Sequence, residues 1–370
     1  MTDYSGRIAA LQARLRAQSA DLAILAGTDH MQYLTGWREG GHERFVGLFI
    51  PSNGAASFVV PEMNASQARK TPAGISAVQG WFDETGWHAE ALSAAGVGSL
   101  KPGSVVLVDD ELHSVHLLAL QKLLPQATFR EIGTTMSRLR EIKTDDELAD
   151  MQHAADLIDG IVEEAFTQLR EGMTELELQG WFLDAYKRHG TRPSFTPLIC
   201  FGKSGAMPHH HTGDTRLQEG DVLVIDVGCI SNNYASDITR TVAFRSVTDP
   251  LAIQIYALVY AAHTNARSKA VPGVSGEEVD TAARSVIVNG GYGEFFVHRT
   301  GHGIGISTHE PPYIVQGNKE PLLPGMCFSV EPGIYLEGRF GVRIENIVTM
   351  TSDGVRSFNA EPADHLRIVG

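Results

Sequence analysis

The sequence predicts an α+β chain of two domains, a smaller α/β domain over residues 1–138 and a larger domain over residues 139–370. Its 370 residues leave room for two separate cores. Short apolar strands alternate with helices in the first domain, which is typical of an α/β layer. In the second domain long helical stretches surround a hairpin-like segment, and strands and turns follow. Thr144 and Glu147 form a capping-box pattern near the predicted junction.

The elements follow from apolar periodicity and from turn residues. Residues 4–19 carry Ile8, Leu11 and Leu15 at helical spacing, which predicts the first helix. Strands are predicted over residues 21–26, 45–50, 56–60 and 104–108, and a helix over 113–124. In the second domain a long helix should follow Thr144, and further helices are predicted over residues 174–188, 252–268 and 276–288.

Composition narrows the function classes. The net charge of −14 argues against a general surface for nucleic acid or for an anionic membrane. Cys200, Cys229 and Cys327 match no zinc spacing, and their odd number argues against a disulfide framework. No apolar run approaches the roughly 18 residues that span a bilayer. The N-terminal segment lacks an apolar signal core, so we expect a cytoplasmic protein.

Residues 222–244 are predicted to form a β-hairpin, because apolar and β-branched residues line both arms of a Ser-Asn-Asn turn. With the turn centred near Asn232, Asp226 falls opposite Asp237, and opposed residues have Cβ atoms about 5 Å apart. Two carboxylates this close repel each other and should destabilise the hairpin. A divalent cation bound between them would attract both, so the arrangement would become stabilising. The competing interpretation is a pair of surface aspartates on an edge strand.

Residues 326–350 repeat this arrangement. The predicted turn centres near Gly338, which places Glu331 opposite Glu345. Two separate hairpins therefore each present an opposed carboxylate pair, which weakens the surface interpretation. Pro332 removes a backbone donor beside Glu331, so we expect imperfect strand pairing there.

A glycine-rich segment at residues 300–306, Thr-Gly-His-Gly-Ile-Gly-Ile, lies between the hairpins and contains His302. The glycines let the backbone approach a ligand closely and leave the imidazole free to bind a metal. A phosphate-binding loop is disfavoured, because the spacing is not G-x-G-x-x-G and no Lys-Ser or Lys-Thr follows. A buried core histidine is the remaining alternative.

The second domain resembles the creatinase, prolidase and methionine-aminopeptidase metallopeptidases, whose catalytic domain has the pita-bread fold. The resemblance covers roughly residues 142–370. It rests on five residues in their local contexts: Asp226 in IDVG, Asp237 in SDITRT, His302 in GHGIG, Glu331 in EPGIY and Glu345 in RIEN. The first domain resembles, more weakly, the creatinase-type α/β N-terminal domain that prolidases and aminopeptidase P also carry.

The resemblance implies two divalent metal ions per subunit. Asp226 would chelate one ion, and Asp237 and Glu345 would bridge both. His302 and Glu331 would complete the second set of ligands. Water between the ions would be the nucleophile, since metal binding lowers the pKa of water from ~15.7 to ~7, and Glu331 would relay its proton to the leaving amine. Manganese is the expected metal, and cobalt, zinc and iron also suit oxygen and imidazole ligands.

Further site residues follow from the same comparison. A histidine after the proline of Met-Pro-His-His-His is expected to face the substrate. His209 is the best positional match, His210 and His211 are alternatives, and a surface histidine cluster competes. His309, in THEPP, matches the histidine that contacts the tetrahedral intermediate, and the two prolines after it exclude an HExxH helix. Arg343 shares strand parity with Glu345 and could bind a carboxylate or steady the site, with a surface arginine as the alternative.

The resemblance implies an Xaa-Pro dipeptidase (prolidase) that hydrolyses the peptide bond before proline in Xaa-Pro peptides. Aminopeptidase P, acting on longer Xaa-Pro peptides, is the nearest alternative because both share the metal ligands. An amidohydrolase on a small non-peptide amide and a binding protein without catalysis are alternatives from other classes. The family also implies a homodimer in which the N-terminal domain closes the partner's site, with residues 37–44 as a candidate contact loop.

Overall fold

The protein is described by a computed structural model covering residues 2–96 and 100–370. The chain divides into two compact units, Met1–Arg140 and Glu141–Gly370. Within the described ranges, no helix combines the length and the apolar character that a membrane crossing requires.

The N-terminal unit is built on one six-stranded mixed sheet with strand order β4-β3-β2-β1-β5-β6. Its strands are β1 (Leu22–Leu25), β2 (Gly47–Pro51), β3 (Ser57–Pro61), β4 (Val78–Trp81), β5 (Val105–Val108) and β6 (Thr128–Glu131). Its helices are α1 (Tyr4–Ala17), α2 (Asp29–Thr35), α3 (Glu62–Ala68), α4 (His88–Ala94), α5 (Ser114–Leu123) and α6 (Gly133–Arg140). The central β1-β2-β3 pairs are antiparallel, and the outer pairs are parallel. This alternation confirms the predicted α/β character.

The C-terminal unit contains four long helices and several small sheets. The helices are α7 (Asp145–Phe166), α8 (Glu175–Arg188), α9 (Pro250–Lys269) and α10 (Gly276–Asn289), with short 3-10 turns at Gly202–Ala206 and Gly293–Phe295. The strands of its first half are β7 (Arg192–Pro193), β8 (Leu198–Phe201), β9 (Val222–Val227), β10 (Cys229–Ser231), β11 (Tyr234–Ala235) and β12 (Ile238–Phe244). Those of its second half are β13 (Gly301–Gly303), β14 (Glu310–Ile314), β15 (Cys327–Val330), β16 (Gly333–Leu336), β17 (Phe340–Arg343), β18 (Asn346–Met350), β19 (Val355–Ser357) and β20 (Arg367–Val369).

Two apolar cores support the sheets that carry the predicted ligands. Helices α7 and α8 pack through Ile158 and Phe182 against the sheet β20-β12-β9-β8, whose Ile225 lies in the same core. Helices α9 and α10 pack through Val259 and other side chains against β15 to β18. The predicted capping box starts α7: the Thr144 hydroxyl accepts from the Glu147 amide, and the Glu147 carboxylate accepts from the Thr144 amide.

The predicted register of the first hairpin is wrong by two residues. Asp226 pairs with Thr239 rather than with Asp237. The turn consists of Asn232 and Asn233, with φ of 48° and 73°, and the residues on either side pair directly. A two-residue turn with both central φ values positive is the hairpin turn that matches strand twist. Because side chains alternate with a period of two, the shift leaves Asp237 on the face of Asp226 as a diagonal neighbour.

The predicted register of the second hairpin is confirmed. Val330 pairs with Asn346 in β15-β18, and Gly333 pairs with Arg343 in β16-β17, so one register runs through both pairs. Glu331 lies between the paired segments and next to Pro332, where regular pairing stops. The expected interruption at this proline is therefore also observed.

Candidate active site

The five predicted ligands lie at strand ends that meet in the C-terminal unit. Asp226 is the penultimate residue of β9, and Asp237 directly precedes β12. His302 is within β13, Glu331 follows β15 and Glu345 precedes β18. The ends of strands place these side chains on rigid backbone while leaving one side open to a ligand.

Three overlapping groups of side chains come together there. Asp226, Asp237 and Glu345 offer oxygen atoms that all lie within 4.8 Å of one another. The same limit holds for ligating atoms of His302, Glu331 and Glu345, and for those of Asp237, His302 and His309. The structure thus brings together all five predicted ligands, and His309 lies within the same range.

Burial and mutual repulsion disfavour the charged forms of these carboxyl groups. Burial, then the charges of Glu345 and Asp226, hold the pKa of Asp237 well above its usual range. Burial, then the charges of Glu331 and Asp226, do the same to the pKa of Glu345. Burial raises the pKa of Glu331 to about 7, against the opposing effect of Arg343. Without a cation, this crowding favours the protonated forms of the three carboxyl groups.

Unpaired oxygen atoms show that the cluster fits divalent ions. Asp226 Oδ1, Asp237 Oδ1 and Glu345 Oε1 are buried, and none has a hydrogen-bond partner among the residues that the structure describes. A buried polar atom without a partner costs free energy, about 1–3 kcal/mol for a typical group. Hard cations are bound by such oxygen atoms, so this donor set suits magnesium, manganese or zinc.

His302 is prepared to act as a neutral ligand. Its Nδ1 lies 3.0 Å from the Gly303 carbonyl oxygen, so Nδ1 carries the proton and donates to that oxygen. The lone pair of Nε2 can then bind a metal ion. Nε2 lies 3.3 Å from Glu331 Oε1 and 3.8 Å from Asp237 Oδ2. Burial, assisted by His309, lowers the pKa of His302 to about 3, so the ring is uncharged at neutral pH.

Arg343 is a buried part of the cluster, so the alternative of a surface arginine is wrong. Its Nη2 lies 2.5 Å from Asp226 Oδ2, and its Nη1 donates to the Tyr335 hydroxyl at 3.0 Å. Its Nε donates to the Thr239 hydroxyl, which in turn donates to Glu345 Oε2 at 2.7 Å. Arg343 therefore orients Asp226 directly and Glu345 through Thr239, a residue that the sequence analysis missed.

The three consecutive histidines lie in different environments. His209 lines the cavity above the carboxylates. His210 turns away, with Nε2 2.8 Å from Oε2 of the fully buried Glu175. Glu175 also accepts from two backbone amides, those of Phe201 and Gly213, and so fastens the loop that carries the histidines. His211 is exposed. Of the three, His209 is the one on the cavity wall.

His309 lies beside His302, with ring centroids 4.0 Å apart. Burial and then the charge of Arg299 lower the pKa of His309, which favours the neutral ring. The two prolines that follow are in strand β14, as expected for a segment that cannot be helical.

The cluster forms the floor of a cavity of about 700 Å3. Its walls include three residues that the sequence analysis missed: Phe195, His298 and Arg299. Burial lowers the pKa of His298 to about 4, and its Nε2 lies 2.8 Å from the Tyr335 hydroxyl. A signal for His298 was present, because it stands four residues before His302 in the same segment. No pattern in the sequence indicates that Phe195 would line this cavity.

Comparisons with known proteins agree with this geometry. Residues 149–352 match the model of metallopeptidase family M24, and residues 7–142 match the creatinase/prolidase N-terminal domain. A probable dipeptidase, PepE, from Mycobacterium tuberculosis is 36% identical over 97% of this chain and 95% of its own length.

Two solved structures are similar in fold. A recombinant prolidase from Thermococcus sibiricus has a TM-score of 0.93 and 33% identity, covering 100% of this chain and 99% of that one. An X-Pro aminopeptidase from Thermotoga maritima has a TM-score of 0.81 and 27% identity, covering 96% and 99%. The predicted pita-bread fold with a creatinase-type N-terminal domain is therefore confirmed, and the chain is an enzyme that belongs to metallopeptidase family M24.

Proposed function

We propose that this enzyme is a dinuclear metal-dependent Xaa-Pro dipeptidase. The observation that carries the proposal is the set of partnerless carboxylate oxygens on Asp226, Asp237 and Glu345 at the floor of one cavity. Such a set favours the binding of cations, and His302 and Glu331 would extend it to ligands for two ions. The names of similar proteins, a dipeptidase and a prolidase, support a peptide substrate with proline after the cleaved bond.

The bound ions, with manganese proposed as the physiological metal, would polarise the scissile carbonyl and lower the pKa of the attacking water. Glu331 would accept the proton from that water and return it to the leaving amine, because a carboxylate that contacts both a metal ion and the attacking water is placed for general acid–base catalysis. His309 would donate a hydrogen bond to the developing oxyanion. His209, on the cavity wall, would contact the substrate beside the leaving group.

The cavity walls suit a short peptide. Phe195, Leu198 and Pro208 give an apolar surface near the carboxylates, which can pack against a proline ring. Asp226 and Glu345 are held in place by Arg343 and Thr239, so the reacting groups need little rearrangement when substrate binds.

The test is a substrate panel run on metal-stripped protein and on protein reloaded with manganese. We expect no turnover after chelation, recovery with Mn²⁺, and faster cleavage of Ala-Pro than of longer peptides that begin Ala-Pro. Full activity of the stripped protein would refute the metal dependence. Equal cleavage of Ala-Ala would refute the proline requirement.

The same panel separates the alternatives. Faster cleavage of longer Xaa-Pro peptides would identify an aminopeptidase P, and turnover of creatine-like amides alone would identify an amidohydrolase. The proposed homodimer is tested separately by sedimentation of the loaded enzyme, where a monomer would contradict it.

A further inference from the structure

A buried ion pair lies directly behind the segment that carries His309. Lys143 Nζ donates to Glu310 Oε1 at 2.7 Å, and the two side chains are only 1% and 7% exposed. Removing two charges from water costs about as much free energy as their attraction returns, so such a pair adds little net stability. What it does provide is a fixed distance between two segments of the chain.

Both segments that the pair joins carry residues of the site. Glu310 directly follows His309, and successive side chains of an extended segment point to opposite sides. His309 lines the cavity, whereas Glu310 is buried. The amide of Lys143 donates to the Gly325 carbonyl at 2.9 Å, two residues before β15 begins. Strand β15 leads directly into Glu331, so the ion pair links the segment of His309 to the strand of Glu331.

Strand pairing is irregular at this point, so the sheet alone does not fix the segment. His302 in β13 pairs with Tyr313 in β14. The next residue, Gly303, pairs with Glu310, so two residues of β14 lie between the paired positions. Irregular pairing of this kind re-aims side chains next to active sites. Glu310 borders the irregularity, and its carboxylate is the group that Lys143 holds.

Gly305, the third glycine of the segment at residues 300–306, lies against the ion pair. A methyl group at this position would lie 2.7 Å from Glu310 Oε1 and 3.0 Å from Lys143 Cε. Buried side chains are closely packed, so the pair has little room to move aside. The sequence pattern indicates a glycine that lets a ligand approach, and in the structure this glycine leaves space for the two charged side chains.

We propose that the Lys143–Glu310 ion pair positions His309 for its hydrogen bond to the developing oxyanion. This inference rests on the proposed function, in which His309 makes that contact. In the part of the chain that the structure describes, the cavity wall includes His309 but neither residue of the pair, so both act through the imidazole. Because the oxyanion exists only in the transition state, loosening His309 lowers kcat and leaves KM unchanged.

The test is a set of variants assayed on Ala-Pro with manganese-loaded full-length enzyme. Lys143→Met combined with Glu310→Leu replaces both charges by apolar side chains of similar size, a change that often preserves stability. We expect kcat to fall roughly 10- to 100-fold, since a displacement of about 1 Å can cost this much, with KM and metal content unchanged. Lys187→Met, which breaks an exposed ion pair with Asp184, is the matched control and should keep the wild-type kcat.

A background without the imidazole separates positioning from a loss of folded protein. In His309→Ala, adding the double substitution should lower kcat no further, because no imidazole remains to be positioned. A smaller folded fraction would lower kcat by the same factor in both backgrounds, and that result would overturn the inference. So would a wild-type kcat in the double variant.

Gly305→Ala tests the geometry of the pair while keeping both of its charges. The added methyl group should displace the ion pair, so kcat should fall while KM and metal content stay unchanged. The fall should again disappear in the His309→Ala background. A wild-type kcat in Gly305→Ala would contradict the positioning role.

The wild type and His309→Ala distinguish the two levels of the argument. If wild type does not cleave Ala-Pro, the proposed function has failed, and the inference fails with it. A His309→Ala kcat equal to that of wild type would overturn the inference together with the role proposed for His309. If wild type is active, His309→Ala is slow and the effects simply multiply, only this inference has failed.

Discussion

In the metal-stripped enzyme, the Glu331 side chain should contribute a loss of stability as the pH rises from about 4.5 to 7. The group from which the magnitude follows is Glu331, whose side chain is 15% exposed and whose pKa burial raises from the ordinary 4.5 to about 7. Since one pKa unit corresponds to 1.36 kcal/mol, this group alone accounts for about 3 kcal/mol.

The sign follows from which state loses its proton first. Below about pH 4.5, Glu331 is protonated in both the folded and the unfolded chain and contributes no difference. As the pH rises, the unfolded chain releases its proton while the folded protein retains it, so the free energy of unfolding decreases until about pH 7. Asp237 and Glu345 act in the same direction, because their pKa values are also raised. Bound ions require the ionised carboxylates and should remove this dependence.

The assay is urea unfolding of stripped and manganese-loaded protein at several pH values, followed by circular dichroism. Glu331→Gln is the matched variant, since it keeps the shape and removes the titration. In stripped protein it should lose about 3 kcal/mol less than wild type between pH 4.5 and 7. The reasoning is refuted if stripped wild type and Glu331→Gln show the same pH dependence.

Three further changes test other parts of the site and core. Asp237→Asn should lose bound metal and turnover together, whereas the control Asp184→Asn, at an exposed aspartate, should lose neither. If metal analysis of Asp237→Asn still finds two ions per chain, the bridging role of Asp237 is contradicted. Glu175→Gln should lower kcat for Ala-Pro with little change in KM, because it loosens the loop that carries His209; an unchanged kcat would rule out this positioning role. His263→Leu should raise the free energy of unfolding by about 1–3 kcal/mol, because both ring nitrogens are buried without a partner in the described chain. Burial lowers the pKa of His263 to about 3, so the wild type should also lose stability as the pH falls below about 6.5. Denaturation curves at pH 6.5 and 4.5 should show a smaller loss of stability in the leucine variant than in the wild type.

Local sequence information was enough where a single turn determines the geometry. The Gly338 turn correctly predicted that Glu331 faces Glu345, since the register continues unchanged through two strand pairs. The Asn232 turn predicted the wrong partner for Asp226, because three candidate turn residues do not show which two occupy the central positions. The predicted partner was wrong by two residues, and side chains alternate between the faces of a sheet with a period of two. Asp226 and Asp237 were therefore still correctly predicted to lie on the same face, where the carboxylate cluster forms.

Contacts between distant segments could not be predicted by the same means. Nothing in the histidine run shows that His210 would pair with Glu175, which is 35 residues away, and leave His209 at the cavity. The role of Thr239 depends on Arg343 and Glu345, more than one hundred residues later. Such pairs are determined by how sheets and helices pack, and a single sequence contains no periodicity that reports them.

The common register of the second hairpin has a consequence for redesign of the enzyme. Residues 337–339 form an exposed tip beyond β16 and β17, and Glu331 and Glu345 lie at the opposite ends of these strands. Extra residues inserted at the tip would lengthen the loop without sliding one arm along the other. A reporter peptide or an affinity tag could therefore be placed there, whereas a single deletion between Glu331 and Leu336 would rotate one arm and carry its glutamate out of the cluster.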